Sequence, residues 1–104
     1  MCVVNKRTYR GPGVYIGRGA GGKVNPDPWA YGGLGNPFVP KDGSDAERKR
    51  VIAEFKEYAV RRIATDAKFA ARVRSLRGQT LICWCAPLAC HGDILRELAD
   101  AADD

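Results

Sequence analysis

The run Leu81-Ile82-Cys83-Trp84-Cys85-Ala86-Pro87-Leu88-Ala89-Cys90-His91-Gly92-Asp93 decides the fold. Leu81 to Cys85 are continuously apolar, the mark of a strand in the middle of a sheet covered on both sides. That strand should run from Thr80 to about Cys85, with Pro87 breaking it because proline donates no backbone N–H. From Cys90 onward the pattern reads as a helix start, and Ile94, Leu95 and Leu98 give an inward face over about 90–102. Three of the four cysteines and the single histidine fall inside this joint. A strand that passes through a tight loop into a helix N-terminus is where open α/β sheets place their ligands.

Working outward, Ser44-Asp45-Ala46-Glu47 is a capping-box pattern. Behind it Ile52, Phe55, Ala59 and Ile63 recur at helical spacing, predicting a helix over about 45–64. Asp66 suits the cap of a second helix over about 66–77, with Phe69, Val73 and Leu76 on one face and Gly78 as its stop. Two short strands are expected near the start, Cys2 to Asn5 and Val14 to Ile16 ending at Gly17. The turn Arg10-Gly11-Pro12-Gly13 separates them. Residues 1–43 hold ten of the twelve glycines and five of the six prolines, so 19–43 reads as one long Gly/Pro-rich loop. Trp29, Tyr31, Leu34 and Phe38 should fold that loop back onto the body, leaving 19–27 as its mobile part. The expected architecture is a single α/β domain over 1–104, small and Rossmann-like. It has three layers, with a short, mostly parallel sheet flanked by helices.

Charge is uneven along the chain. The net charge is +5, and residues 1–26 contribute all of it through Lys6, Arg7, Arg10, Arg18 and Lys23 with no acidic residue. A basic, glycine-rich segment suits a phosphate-bearing partner, a nucleotide or a nucleic acid; a solvated basic surface is the plain alternative. No apolar run approaches the roughly 18 residues of a membrane span. The N-terminal apolar stretch is too short for a signal peptide. A cytoplasmic setting with reduced cysteines is the expectation, with no membrane partner.

Cys85, Cys90 and His91 are ligand types that zinc prefers, so a metal site is one reading. Against it, C-x-C-x4-C-H lacks the usual C-x2-C knuckle, and adjacent Cys90 and His91 strain to reach one ion. Cys83 suits a buried small hydrophobe. In a second reading a Cys90 or Cys85 thiolate is favoured by the helix start, His91 is the acid or base, and Asp93 orients it. The bland counterpart makes Asp93 a first-turn helix carboxylate and His91 a partly exposed loop residue. Cys90 and Arg96 match the spacing of cysteine phosphatases, but a helical Asp93-to-Arg96 stretch removes the phosphate loop that motif needs. Gly17-Arg18-Gly19 after a strand reads as an anion-binding turn, without the following helix of a dinucleotide fingerprint. Gly35-Asn36-Pro37-Phe38 is a tight turn whose Asn36 amide either meets a ligand or satisfies the turn. Trp29 and Tyr31 either stack on a base or pack in the loop.

Val14-Tyr15-Ile16-Gly17-Arg18, Leu34-Gly35-Asn36-Pro37-Phe38, Leu76-Arg77-Gly78 and Leu81-to-Pro87 with Cys90-His91-Gly92-Asp93 together resemble one family. It is domain of unknown function 4326, with phage and cellular members, and the match spans about residues 3 to 100. The last motif also looks like that of a second uncharacterised group, number 488, where an arginine stands at the position of Gly92. The resemblance implies a compact α/β domain whose shared polar motifs converge on one pocket, and it supplies no established reaction. The function expected is a pocket for a nucleotide, nucleoside or phosphorylated metabolite. Gly17, Arg18, Gly19, Asn36, Pro37, Phe38 and Cys85 would bind the ligand, and His91, Asp93 and Cys90 are the catalytic candidates if turnover occurs. A zinc site at Cys85, Cys90 and His91, or a basic nucleic-acid or protein-binding module, are the alternatives.

Overall fold

A computed structural model describes residues 3–84 and 90–101. Cys2, Cys85, Pro87 and Ala102, which carry some of the expectations above, lie outside the described residues. The sheet has three parallel strands, β1 (Val3–Asn5), β2 (Val14–Tyr15) and β3 (Leu81–Cys83), in the order β1-β3-β2. The last strand therefore takes the middle place, with Leu81 in register with both Val3 and Val14. The ladder outruns the strands: the Lys6 N–H donates to the Cys83 carbonyl (2.8 Å) and the Ile16 N–H to the Ile82 carbonyl (2.9 Å). The faces of β3 differ. Leu81 and Cys83 are buried in the core, Ile82 on the opposite face is half-buried, and Trp84 just beyond is 51% exposed. Covering on both sides, as the apolar run suggested, is thus unequal.

Helix α1 (Asp45–Thr65) is capped by Ser44, whose hydroxyl accepts from the Glu47 N–H at 3.3 Å. The reciprocal half of the box is missing. Glu47 accepts instead from the Lys41 N–H (2.7 Å) and pairs with Arg50 (2.9 Å), and the Ser44 N–H goes to Asp42 (2.8 Å). Arg50 above all, with the Lys41 amide, holds the Glu47 carboxyl down at about 2. Helix α2 (Ala67–Ser75) starts where the Asp66 carboxylate accepts from the Lys68 and Phe69 N–H groups. It is shorter than the expected 66–77 because Leu76 to Gly78 form a closing turn, with Gly78 at φ 78°. Helix α3 (His91–Ala101) buries Leu95 and Ala99. The helices pack on one another and α3 packs on β3, around Ile16, Phe55, Phe69, Leu76, Leu81 and Leu95. Burial of each such side chain is worth roughly 1.5–3 kcal/mol.

The long loop is tied down by cations from the helices. Arg62 donates to the Pro26 carbonyl (2.8 Å), Arg72 to the Pro28 carbonyl (3.2 Å), and Lys68 pairs with Asp27 (3.2 Å). The segment 19–27 folds on itself, with one 3-10 turn at Ala20–Gly22 and the Gly19 N–H on the Lys23 carbonyl (2.8 Å). Gly32 closes this loop at φ 82°, where a Cβ would sit 2.5 Å from the Gly19 nitrogen; only glycine fits. Among the described residues no helix is long and apolar enough to cross a membrane.

Candidate functional site

A hollow of about 680 Å³ opens beyond the carboxyl ends of β2 and β3. Gly17, Arg18 and Gly19, leaving β2, form one wall with Asn36 and Phe38. Cys90 and His91 form the floor, and the start of α1 with Ser44 and Arg48 closes a third side. The glycine turn and the cysteine–histidine corner, 71 or more residues apart in sequence, thus face one cavity. What joins the first wall is backbone contact: a Cβ at Gly35 would meet the Arg18 Cα at 3.1 Å.

In the first wall Arg18, Asn36 and Phe38 each have a structural tie. Arg18 donates Nε–H to the Asn36 carbonyl (2.7 Å) and Nη2–H to the Phe38 carbonyl (3.0 Å), which fixes its guanidinium at the cavity wall. Asn36 is buried; its amide donates to the Val51 carbonyl (3.1 Å) and accepts from the Phe38 N–H (2.9 Å), so it clamps the turn to α1. Phe38 lines the cavity and meets Tyr58 edge-on at 6.0 Å. Pro37 is exposed and does not line it.

His91 is 8% exposed, not a loop residue. Its Nε2 lies 2.7 Å from the Ile16 carbonyl, and its ring meets Phe55 edge-on at 5.0 Å. A carbonyl only accepts, so Nε2 carries the hydrogen. Burial pushes the imidazole pKa below its ordinary 6.5, outweighing the carbonyls of Ile16 and Leu34, which favour the cation. The ring is therefore neutral at neutral pH.

The start of α3 caps itself. The Cys90 sulfur accepts from the Gly92 N–H (3.3 Å), and the Asp93 carboxylate accepts from the Cys90 N–H (3.2 Å). This is half of a capping box, the Asp93 return bond, with a sulfur cap that accepts one residue earlier than the box requires. The Cys90 sulfur also lies 3.2 Å from that of Cys83. Gly92 is buried beneath them: a Cβ would stand 2.6 Å from the Ile16 Cδ1 and 3.2 Å from the Cys90 sulfur. That packing leaves no room for an arginine at this position. Among the described residues no three His, Cys, Asp or Glu side chains converge to hold a metal ion, and Cys85 lies outside them.

Arg48 was not among the residues singled out from sequence. It lines the cavity, and its Nε is buried with no hydrogen-bond partner among the described residues. Its signal was its place one helical turn before Val51 and Ile52 and two before Phe55, a cation on an apolar stripe. Tyr15, Tyr31 and Trp84 line the rim, with Tyr15 and Tyr31 stacked at 5.0 Å. Partial burial raises the Tyr15 phenol pKa, against the hydrogen bond from Trp84, which lowers it. Trp29 sits elsewhere, under the Arg72 guanidinium at 4.8 Å.

Fold and cavity together define a small mixed α/β domain that opens a pocket at the carboxyl ends of a parallel sheet. The chain belongs to the family described as domain of unknown function 4326 (DUF4326), whose model matches residues 4–101. It is 39% identical over 63 residues to a protein of Enterobacteria phage T4 described as an uncharacterized 12.4 kDa protein in the nrdA-td intergenic region. That match covers 61% of this chain and 56% of the phage protein, so the chain spans little more than half the length of this relative. No solved structure matches the chain.

Proposed function

We propose that the hollow binds a small phosphorylated ligand of the nucleotide class. Arg48 carries the reading: a guanidinium nitrogen is buried in the wall of a cavity without an acceptor among the described residues. A buried unsatisfied donor costs about 1–3 kcal/mol, a cost removed when the guanidinium turns onto an anionic ligand. Arg18 stands on the same cavity, anchored by two carbonyls, and neither arginine has an acidic ion-pair partner among the described residues. The Ser44 hydroxyl at the start of α1 adds a donor to this wall. The volume of about 680 Å³ falls in the range of small-ligand sites. A place beyond the carboxyl ends of parallel strands is where Rossmann-like three-layer folds bind nucleotides, and on this reading the domain is a reduced version of that arrangement.

The geometry favours binding over turnover. The His91 hydrogen is committed to Ile16, and the Asp93 carboxylate is committed to the Cys90 N–H. Thermal unfolding with nucleoside monophosphates and sugar phosphates tests the reading. At a concentration of about 100 Kd the ligand should stabilise the fold by about 2.7 kcal/mol, a rise in Tm on the order of 10–20 °C. Arg48→Met should abolish that rise while leaving the unliganded Tm unchanged or higher. No rise with any of these compounds removes the proposal.

A further inference from the structure

The pocket rim carries a second feature that its phosphate chemistry does not use. Trp84 is 51% exposed and Tyr31 is 64% exposed, large apolar faces that a folded chain usually covers. They are joined through Tyr15. Tyr31 stacks on Tyr15 with rings 16° from parallel, and the Trp84 Nε1–H donates to the Tyr15 hydroxyl at 3.1 Å. The Trp84 carbonyl in turn accepts from the Asn5 amide at 3.0 Å. The row is therefore held in place before any partner arrives. Two cations lie along it. The Lys6 ammonium is 5.6 Å from the Tyr15 ring centre and 5.8 Å from that of Trp84, and the Arg7 guanidinium is 5.9 Å from Trp84. Neither forms an ion pair among the described residues, and no acidic residue occurs in 1–26.

We infer that this row is a binding surface for single-stranded nucleic acid. Flat aromatic faces accept unpaired bases, and interleaved cations follow the phosphates between them. A duplex hides its base faces in the stack, so it can use only the cations. An acidic peptide would likewise meet Lys6 and Arg7 but leave the exposed ring faces without a matching partner. The surface borders the pocket without depending on what occupies it.

Fluorescence anisotropy with a labelled oligothymidylate of about eight nucleotides tests this. Binding should weaken linearly in log–log against salt, and Lys6→Gln with Arg7→Gln should reduce that slope by about 1.4, about 0.7 per phosphate contact. Trp84→Ala should weaken binding on the order of tenfold, and Trp84→Phe should restore most of it. The phenylalanine variant keeps a ring at the rim and loses only the bond from Nε1–H to Tyr15, so its result stands even if the alanine variant unfolds. Three results overturn the inference: no binding at low salt, duplex bound as tightly as single strand, or oligoglutamate displacing the probe as well as unlabelled oligonucleotide does. Full affinity in a folded Trp84→Ala variant would also overturn it.

Discussion

Replacing His91 by leucine should cost the fold a large part of its stability and remove a specific pH dependence. The Ile16 carbonyl would lose its 2.7 Å partner inside the core, worth about 1–3 kcal/mol as an unsatisfied group. The edge-on contact with Phe55 would go as well, about 0.5–1.5 kcal/mol. The total, about 2–4 kcal/mol, corresponds to a fall in Tm on the order of 10–30 °C for a domain of this size. The pH effect has a definite sign. Above the unfolded pKa of about 6.5 the imidazole is neutral in both states, and stability is flat. Below it the unfolded chain takes up a proton that the buried ring refuses, since burial lowers the folded pKa. Stability then falls with pH, by up to about 1.4 kcal/mol per unit, until the folded pKa is reached. His91 is the only histidine, so the window from about pH 5.5 to 6.5 isolates it from the carboxylates. Urea unfolding across this window should show the slope in the parent chain and not in His91→Leu. Identical slopes in both, or none in the parent, would mean that the ring charges as readily folded as unfolded. The account of a buried, neutral imidazole would then be wrong.

Gly92→Ala places a methyl group 2.6 Å from the Ile16 Cδ1. Overpacking of this kind costs about 1–3 kcal/mol, partly offset by the better helix propensity of alanine. A net loss of about 1–2 kcal/mol is expected in chemical denaturation, and an unchanged midpoint would show that Ile16 yields freely. Ser44→Ala removes a 3.3 Å cap that lacks its reciprocal bond, so the loss should lie near the low end for caps, about 0.5–1 kcal/mol. Thermal melting followed by circular dichroism measures it, and a loss well above this range would mean that Ser44 does more than cap α1.

The legible parts of this chain were those set by near neighbours. The Ser44-to-Glu47 pattern marked the start of α1, and the spacing of Phe55, Ala59, Phe69 and Val73 marked which faces turn inward. The turn from sequence to site was harder where partners are distant. Arg62 and Arg72 reach loop carbonyls 36 and 44 residues away, and no local period records such straps. Arg48 looked like one more charge on a charged helix start, although its place on the apolar stripe was visible. Asp93 stood open between two roles; a box pattern that admitted sulfur at its first position would have favoured the cap. His91 was the single histidine, and nothing in its neighbours announced that a strand-end carbonyl would hold it. The resemblance carried the family assignment, through motifs whose spatial meeting no single stretch could reveal.

The placing of β3 between two strands that precede it bears on how the chain comes into being. Among the described residues both outer strands pair with β3 alone, Val3 and Val14 each meeting Leu81. Until Leu81 has left the ribosome, β1 and β2 stand with no bridge between them among the described residues. Helices α1 and α2 can form early from local contacts, but the sheet must wait for its keystone, and such distant pairings slow folding. A nascent chain halted short of Leu81 would expose both outer strands together.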